Sequence, residues 1–476
     1  MRHEHAFIIS LTLFMGLWGC SGETSDSGAN TPSANCDFKG ANGTCIGATL
    51  DVICSGETCT DSVQCATVHK LAPSDNVASV VSKAAPGDCI ALTAGTFSAL
   101  EIPAGVHVLG VGKASTNVSS LSINGTGPES LVRGLTIKGY GLVVGASAIK
   151  VEQVEIVGSN VDQPTWRAAI AIPEGGSLDF VDSTISMSAT TGILSTDGAS
   201  ISLTRAVITS TGKEALWTQC TATCDCVSQP VVTLDDVLFS KTSGLVLLGA
   251  QTQANHLSVR DTHPSSGSFA GGDVAQGIVV AGCSNFTGSD IEHLGGSGTG
   301  FFVSSSNVSL TGGTSDDPTL RLSTHETGGL VIESIDPAKG QGVSVESFVI
   351  SNCATAGVSA SFESNGVHLS HGTISGTRFQ SGANTVGDGL AWSNGSALVL
   401  DDITISDSAR VNLILDGDAG DGSSLTSVTL KGSGKEGNAY VQGTSNLPPG
   451  MSDLSPEMHP NDQPLVIWNS APAPTP

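Results

Sequence analysis

The chain has 476 residues, with 19 Lys and Arg against 44 Asp and Glu, and a formal net charge of -25. So acidic a surface repels the phosphates of nucleic acids, which excludes DNA and RNA as partners. Only 13% of the residues are charged and 59 are Gly, a composition that favours short strands and turns over helices.

The first twenty residues have the pattern of an export signal. One Arg precedes an apolar segment, Ala6 to Trp18, that is too short to span a bilayer. The segment ends in Leu17-Trp18-Gly19-Cys20, which resembles the lipobox of bacterial lipoproteins. The resemblance implies a signal peptide over residues 1–19, a lipidated Cys20, and a cell-envelope location in the outer membrane, facing the periplasm or the exterior. The alternative is an ordinary signal peptide cut elsewhere. Residues 20–35 are small and polar, and we expect a flexible tether.

Eleven further cysteines fit an exported protein, because secreted cysteines at high density usually form disulfides. We predict three bridges of open connectivity, largely within a Cys-rich segment over residues 36–73. The six cysteines concerned are Cys36, Cys45, Cys54, Cys59, Cys65 and Cys89. They lack the spacing of a metal-binding cluster, so we predict no metal site there. Cys283 and Cys353 are isolated, and we expect both in core packing.

A short helix is predicted where the folded domain begins. Ser74 and Asp75 can cap it, and Val77, Val80 and Val81 fall on one of its faces. From Ile90 onward the pattern is that of strands.

The body of the chain repeats one unit of three short strands. Each unit contains an anchoring pair of apolar residues two positions apart, then a second apolar stretch, then a Gly-apolar start. The anchoring pairs are Leu178/Phe180, Ile201/Leu203, Val232/Leu234, Val308/Leu310, Val343/Val345, Val367/Leu369 and Leu398/Leu400. Stacking such units at about 4.8 Å buries the apolar residues in one continuous core, which predicts a parallel β-helix.

The start of this region carries a more specific likeness. The predicted helix runs into APGD (residues 85–88), followed by an AGTF turn and the stretch IPAGVHVLGVG, and this order resembles right-handed β-helix proteins of the pectin lyase-like class. The resemblance implies an all-β, right-handed parallel β-helix over residues 74–445, with the helix as its N-terminal cap. We count about twelve coils, or rungs, in this solenoid. Residues 446–476 form a Pro-rich tail.

One column of charged residues is the candidate for catalysis. Counting two residues past the anchors at Phe180, Leu203, Leu234 and Ala254 places four side chains on successive rungs: Asp182, Arg205, Asp236 and His256. They form either a solvent-facing charge ladder or an Arg flanked by acids, as in a lyase site.

The paired aspartates in LDDVLFS (234–240) and LDDITIS (400–406) occupy the same turn of distant rungs, so they cannot share one acid–base site. The Asp-Asp pair belongs to the polygalacturonase pattern, but the Asn-Thr-Asp turn, the Gly-His-Gly turn and the Arg-Ile-Lys strand of that pattern are missing. The sequence therefore disfavours hydrolase chemistry.

Three insertions lengthen one turn of the coil, between Ala254 and Ile278, Leu310 and Leu330, and Leu369 and Leu390. They are predicted either to wall a groove or to be plain surface loops. Their charged residues are binding candidates: Arg260, Asp261, His263, Asp316, Asp317, Arg321, His325, Glu326, Arg378 and Asp388.

We therefore predict a non-catalytic, lipid-anchored surface protein without a cofactor, whose β-helix binds a polysaccharide or a surface protein. The alternative is a lyase of acidic polysaccharides in which Arg205 or a loop Arg is the base and calcium neutralises the sugar carboxylate. The strong negative charge disfavours this alternative, because an anionic substrate is repelled without the cation.

Overall fold

The computed structural model describes residues 63–145, 148–158, 168–220, 228–264, 276–311, 320–324, 327–379, 386–393, 395–432, 434–444 and 446–459. The signal segment, Cys20, the tether and Cys36 to Cys59 lie outside these residues. Within them the chain is built from short strands. They are β1 (Val68–Leu71), β2 (Cys89–Leu92), β3 (Gly95–Phe97), β4 (Leu100–Pro103), β5 (His107–Leu109), β6 (Thr116–Asn124), β7 (Ser130–Arg133), β8 (Thr136–Val144), β9 (Ala148–Glu152), β10 (Glu155–Val157), β11 (Ala168–Ile172), β12 (Ser177–Val181), β13 (Thr184–Ser186), β14 (Thr191–Ser195), β15 (Ser200–Thr209), β16 (Leu216–Thr218), β17 (Val231–Ser240), β18 (Leu245–Leu248), β19 (Gln251–Thr262), β20 (Gln276–Ala281), β21 (Asn285–Gly296), β22 (Thr299–Ser304), β23 (Asn307–Leu310), β24 (Leu320–Ser323), β25 (Leu330–Glu333), β26 (Gly342–Ser351), β27 (Ala356–Ser361), β28 (Val367–Ser375), β29 (Asp388–Ser393), β30 (Leu398–Ser406), β31 (Leu413–Asp416), β32 (Ser424–Thr426), β33 (Thr429–Lys431), β34 (Ala439–Gln442) and β35 (Glu457–His459).

Each strand pairs in parallel with the strand one coil further along the chain. The long strands show this most clearly, because β15 pairs with β17, β17 with β19 and β19 with β21. The same pattern continues from β26 to β28 and β30. The predicted all-β, parallel β-helix is therefore confirmed.

The predicted anchors stack directly on one another. Phe180 pairs with Leu203, Leu203 with Leu234 and Leu234 with Ala254, and all four are at most 2% exposed. The Gly-apolar starts form a second inward stack, in which Ile170 pairs with Ile193 and Ile193 with Leu216. These stacks belong to one continuous apolar core.

The predicted cap is present as a short helix, α1 (Val77–Val81), but the residue that caps it differs from the prediction. The side chain of Asn76 accepts the hydrogen bond from the Ser79 amide, whereas Asp75 accepts from the Ala72 amide. Val77, Val80 and Val81 pack against the end of the core, as expected for a cap. Two short 3-10 turns, Pro337–Lys339 and Met451–Leu454, complete the helical elements of the described residues. No helix among these residues has the length and apolarity needed to cross a bilayer.

The cysteines agree with the predictions in part. Cys65 and Cys89 form a disulfide that ties the segment before β1 to β2. Cys353 is a free, buried thiol, as expected for core packing. Cys283 is disulfide-bonded, so the expectation of a core-packing thiol there was wrong.

Candidate functional site

The four column residues lie at one sharp corner of the coil. Asp182, Arg205, Asp236 and His256 have φ values of 47°, 46°, 53° and 51°, which is the left-handed region. The chain turns there between β12 and β13 at Asp182, and between the two halves of one long strand at Arg205, Asp236 and His256. Asp and His are among the residues enriched in this conformation, so their presence is explained in part by the turn itself.

Two further charged residues, Asp290 and Arg321, extend this group on neighbouring rungs. The column counted from the sequence did not include them. The His256 ring lies between two carboxylates, with Nδ1 3.3 Å from Asp236 Oδ1 and Nε2 3.6 Å from Asp290 Oδ2. Arg321 donates to Asp290 Oδ1 at 2.8 Å. We call Asp236, His256, Asp290, Arg321, Glu292 and Arg260 the charged corner.

Glu292 is the buried member of the charged corner, with 3% of its surface exposed. Ser258 Oγ donates to its Oε1 at 2.6 Å, and Arg260 Nε donates to the same oxygen at 3.1 Å. A guanidinium nitrogen of Arg321 lies 3.6 Å from the other oxygen. A buried carboxylate needs such partners, and both arginines serve it.

Arg205 forms a bidentate ion pair with Asp182. Its Nε and a terminal nitrogen donate to the two carboxylate oxygens at 2.7 and 2.8 Å. This hydrogen-bonded pair raises the pKa of Arg205 above its ordinary value. A guanidinium held in this way is a poor base, which argues against the role that the lyase alternative gives Arg205.

A groove of about 550 Å³ lies beside the charged corner on the outer face of the same sheet. Its lining is rich in hydroxyl and amide side chains. The lining residues are Thr204, Thr233, Leu234, Asp235, Gln253, Ala254, Asn255, Thr287, Gly288, Ser289 and Thr311. Leu234 and Ala254 are buried anchors whose side chains face the core, so their backbone forms the floor of the groove.

Three of the groove's polar groups are linked across rungs. Asn255 Nδ2 donates to Asp235 Oδ1 at 3.0 Å, and Ser289 Oγ donates to Asn255 Oδ1 at 2.8 Å. These bonds fix the orientation of the amide, because each of its two ends has a defined partner. The wall therefore presents a preset pattern of donors and acceptors.

One group near the groove has the composition of a cation site. Ligand atoms of Asp235, Asp236 and His256 lie within 4.8 Å of one another. Asp236 Oδ1 is buried and has no hydrogen-bond partner among the described residues. An imidazole nitrogen with two carboxylates suits zinc or manganese, whereas calcium takes oxygen ligands. The set therefore does not fit the calcium that the lyase alternative requires.

Two of the insertion candidates, Arg260 and Arg321, come together at Glu292 in the charged corner. Arg260 and Asp261 lie within β19 and Arg321 lies within β24, so these three are strand residues and not loop residues. His263 follows β19, and its Nε2 lies 3.1 Å from the backbone oxygens of Thr211 and Lys241. Asp316, Asp317, His325 and Glu326 lie outside the described residues.

The two remaining candidates, Arg378 and Asp388, have structural contacts. Arg378 donates to the backbone oxygens of Asn352 and Thr324. Asp388 is fully buried and accepts from Arg410 at 2.7 Å. Neither residue lines the groove.

The second Asp-Asp pair lies six strand steps from the first, from β17 through β19, β21, β23, β26 and β28 to β30. At the strand spacing of a β-sheet this is about 29 Å. Asp402 takes the same left-handed corner conformation as Asp236, with φ 52°. The two pairs are separate, and the motif marks a recurring corner.

Sequence reasoning missed Asp290 because its anchor is Gly288, which breaks the apolar pattern. Gly288 pairs with Ala254, and a Cβ on it would lie 3.1 Å from Phe286 Cε1. The Phe286 ring fills the core space that Gly288 leaves and packs edge-on against Phe301 at 5.6 Å. The sequence did contain a signal for this rung. Phe286 lies two residues before its anchor Gly288, just as Leu178 lies two residues before the anchor Phe180.

No family model matches the chain, and no curated protein matches it in sequence. Among solved structures, the catalytic domain of a GH87 α-1,3-glucanase in complex with nigerose aligns with a TM-score of 0.43 and 12% identity over 76% of this chain and 68% of that one. A PL6 alginate lyase in complex with a trisaccharide gives 0.39 and 11% over 71% and 85%. The A-module of a mannuronan C-5 epimerase from Azotobacter vinelandii gives 0.24 and 12% over 81% and 90%. At such values the alignments carry no functional argument, and the fold rests on the strand pairing described above.

Proposed function

We propose that this protein is a non-catalytic polysaccharide-binding β-helix, and that the groove beside the charged corner holds the glycan. The observation that carries the proposal is the lining, in which Thr, Ser, Asn and Gln side chains line up on adjacent rungs. Hydroxyl and amide groups both donate and accept hydrogen bonds, and sugar hydroxyls do the same. A rigid sheet holds these groups in place, so little ordering is needed on binding.

The surroundings of the groove support binding without catalysis. Arg205 is held by Asp182, and the carboxylates of Asp290 and Glu292 are paired with arginines. A general base needs a free lone pair within reach of the substrate, and the carboxylates of Asp290 and Glu292 use theirs on these arginines, whereas Asp236 Oδ1 has no hydrogen-bond partner among the described residues. The lyase alternative therefore requires Asp236, its neighbour His256 or a base outside the charged corner.

The proposal includes a membrane tether. The lipobox-like sequence ending at Cys20 supports lipidation, and the polar segment over residues 20–35 would hold the β-helix away from the lipid surface. The expected outcome is that Cys20→Ser moves the protein from the membrane fraction to the soluble fraction. Unchanged fractionation would contradict the anchor and leave the groove proposal intact.

The test of glycan binding is affinity electrophoresis through gels that contain a polysaccharide. The variant Thr233→Val/Thr287→Val removes two exposed hydroxyls from the groove and keeps the β-branched shape. We expect at least a tenfold loss of affinity, or about 1.4 kcal/mol. The matched control is Thr373→Val/Thr404→Val, a pair stacked on adjacent strands away from the groove, which should bind like the wild type.

Catalysis is tested on the same polymers. We expect neither new reducing ends nor the absorbance of unsaturated ends after long incubation with or without calcium. Product that disappears in Arg205→Ala would overturn the non-catalytic proposal in favour of the lyase. If the groove variant and the wild type are retarded equally, the glycan binds to a surface other than the groove.

A further inference from the structure

We infer that the ligand is an uncharged polysaccharide that runs parallel to the coil axis, with successive sugar units facing successive rungs. This inference rests on the proposed function and adds the charge class and the direction of the glycan. It is carried by two features of the groove: the absence of cationic side chains from the described residues of its lining and the regular spacing of its polar groups.

The eleven described residues of the lining include no Lys or Arg, and Asp235 is the one charged residue among them. The nearby guanidinium of Arg205 is bidentate on Asp182, and the chain as a whole carries a net charge of -25. A polyuronate would bring a negative charge at every sugar into this environment, where the neighbouring Arg205, Arg260 and Arg321 are already paired with carboxylates. The electrostatics therefore favour a glycan that offers only hydroxyls.

The polar groups of the groove form two columns along the coil axis. The first column follows the anchors by one residue and consists of Thr204, Asp235, Asn255, Ser289 and Thr311. The second precedes the anchors by one residue and includes Thr233, Gln253 and Thr287, all of them exposed. Because rungs repeat at about 4.8 Å, the five rungs of the first column span about 19 Å.

Both columns change outside these rungs. Before the groove, the first column holds Val181 and then Glu152, and the second holds Ser202, Asp179 and Lys150. After it, the first column continues through Glu346, Ser370 and Asp401, whereas the second continues through Ser309, Ser344 and His368. The hydroxyl and amide stretch of the first column therefore ends at Val181 on one side and at Glu346 on the other, which sets the length of glycan that it can contact at about five sugar units.

A glycan laid across the strands would meet only the two columns of one rung. One laid along the axis meets a hydrogen-bonding group at every step, because a rung repeat is close to the length of one sugar ring. Among the described residues, the lining has no aromatic side chain on which a sugar could stack. Affinity must therefore come from many weak hydrogen bonds, and it should grow as more rungs are engaged.

The experiment compares neutral polymers (dextran, laminarin and soluble starch) with polygalacturonate and alginate by affinity electrophoresis at low and high salt. We expect retardation by at least one neutral polymer at both salt concentrations and by neither polyuronate. Size-graded oligosaccharides of the bound polymer, measured by calorimetry, should gain affinity up to about five units and then level off.

The outcomes separate this inference from the proposed function. Retardation by the polyuronates alone, lost in Thr233→Val/Thr287→Val, would overturn the neutral-ligand inference and keep the groove as a glycan site. Retardation by no polymer would overturn both. Affinity that is complete with one or two sugar units would contradict the arrangement along the axis.

Discussion

The segments LDDVLFS at 234–240 and LDDITIS at 400–406 occupy the same corner of the coil and have different surroundings. At the first corner, His256 lies between Asp236 and Asp290, Arg321 donates to Asp290, and a groove opens next to them. At the second corner, His371 faces Glu346 at 4.0 Å, and about half of each side chain is exposed.

The difference shows where a site on a β-helix comes from. The corner conformation repeats with the coil and favours residues such as Asp and His for its backbone geometry, and Arg205 and Ser347 adopt it as well. The interactions depend on what adjacent rungs supply, and among the described residues only the first corner receives two arginines and a buried glutamate. A local motif therefore predicts the corner, and the stacked neighbours decide its chemistry.

The largest expected effect tests the buried carboxylate of the first corner. Arg260→Met removes the cation bonded to Glu292 and should lower the free energy of unfolding by about 3 kcal/mol, because a buried charge then loses its closest partner. Urea unfolding measures the change. The control at the second corner is Glu346→Gln, which should stay within about 0.5 kcal/mol of the wild type. Equal losses of unfolding free energy in Arg260→Met and Glu346→Gln would show that the charged residues of the two corners contribute equally to stability.

A second buried carboxyl, that of Glu333, allows the cost of burying a carboxylate to be tested by changing the pH. Glu333 is 2% exposed, and burial raises its pKa from 4.5 to about 7. A carboxyl whose folded pKa is raised favours the folded state below pH 4.5, and this contribution is lost as the pH rises through 7. Glu333→Gln should match the wild type at pH 4.5 and be more stable by about 3 kcal/mol at pH 8. A constant difference between the two proteins across this range would contradict the prediction.

The core beneath the second corner offers a packing test. Gly372 follows the corner residue His371, and a Cβ on it would lie 2.2 Å from the Phe348 ring. Gly372→Ala should therefore cost about 2 kcal/mol by overpacking. Adding Phe348→Leu should recover part of this loss, and a double-mutant cycle by urea unfolding measures the coupling. Strictly additive changes in unfolding free energy would show that the cost of Gly372→Ala does not come from contact with the Phe348 ring.

The smallest expected effect separates charge from conformation. Asp182→Asn and Asp402→Asn both keep a residue that tolerates the left-handed corner. Asp182→Asn should lose less than about 1 kcal/mol, because about half of the Arg205 side chain is exposed to solvent, and the loss should shrink in salt. Asp402→Asn should be neutral. A large loss in either variant would show that the corner carboxylate has a role beyond these pairings.

Much of the fold could be predicted because burial imposes a simple rule on every rung. Anchors such as Phe180 and Leu234 must face inward, so their spacing revealed the stacking and with it the corner column. The rule failed where another residue filled the core space, as Phe286 does for Gly288. It also could not tell Asn76 from its neighbours as the helix cap, since several polar residues there can accept a hydrogen bond.

The candidate site was less predictable. Thr233, Gln253 and Thr287 are ordinary outward residues when each strand is considered alone, and only the register of three rungs makes them a column. The sequence around Glu292 did not indicate that this residue is buried and paired, because its partners come from two other strands. Contacts between rungs therefore have to be seen in three dimensions.

A crystal structure with a neutral oligosaccharide of about five units tests the central claim most directly. We predict density for consecutive sugar rings over β17, β19 and β21, with hydrogen bonds to Thr233, Gln253 and Thr287 and with the oligosaccharide parallel to the coil axis. Density on another face of the β-helix, or an oligosaccharide lying across the strands, would contradict the claim.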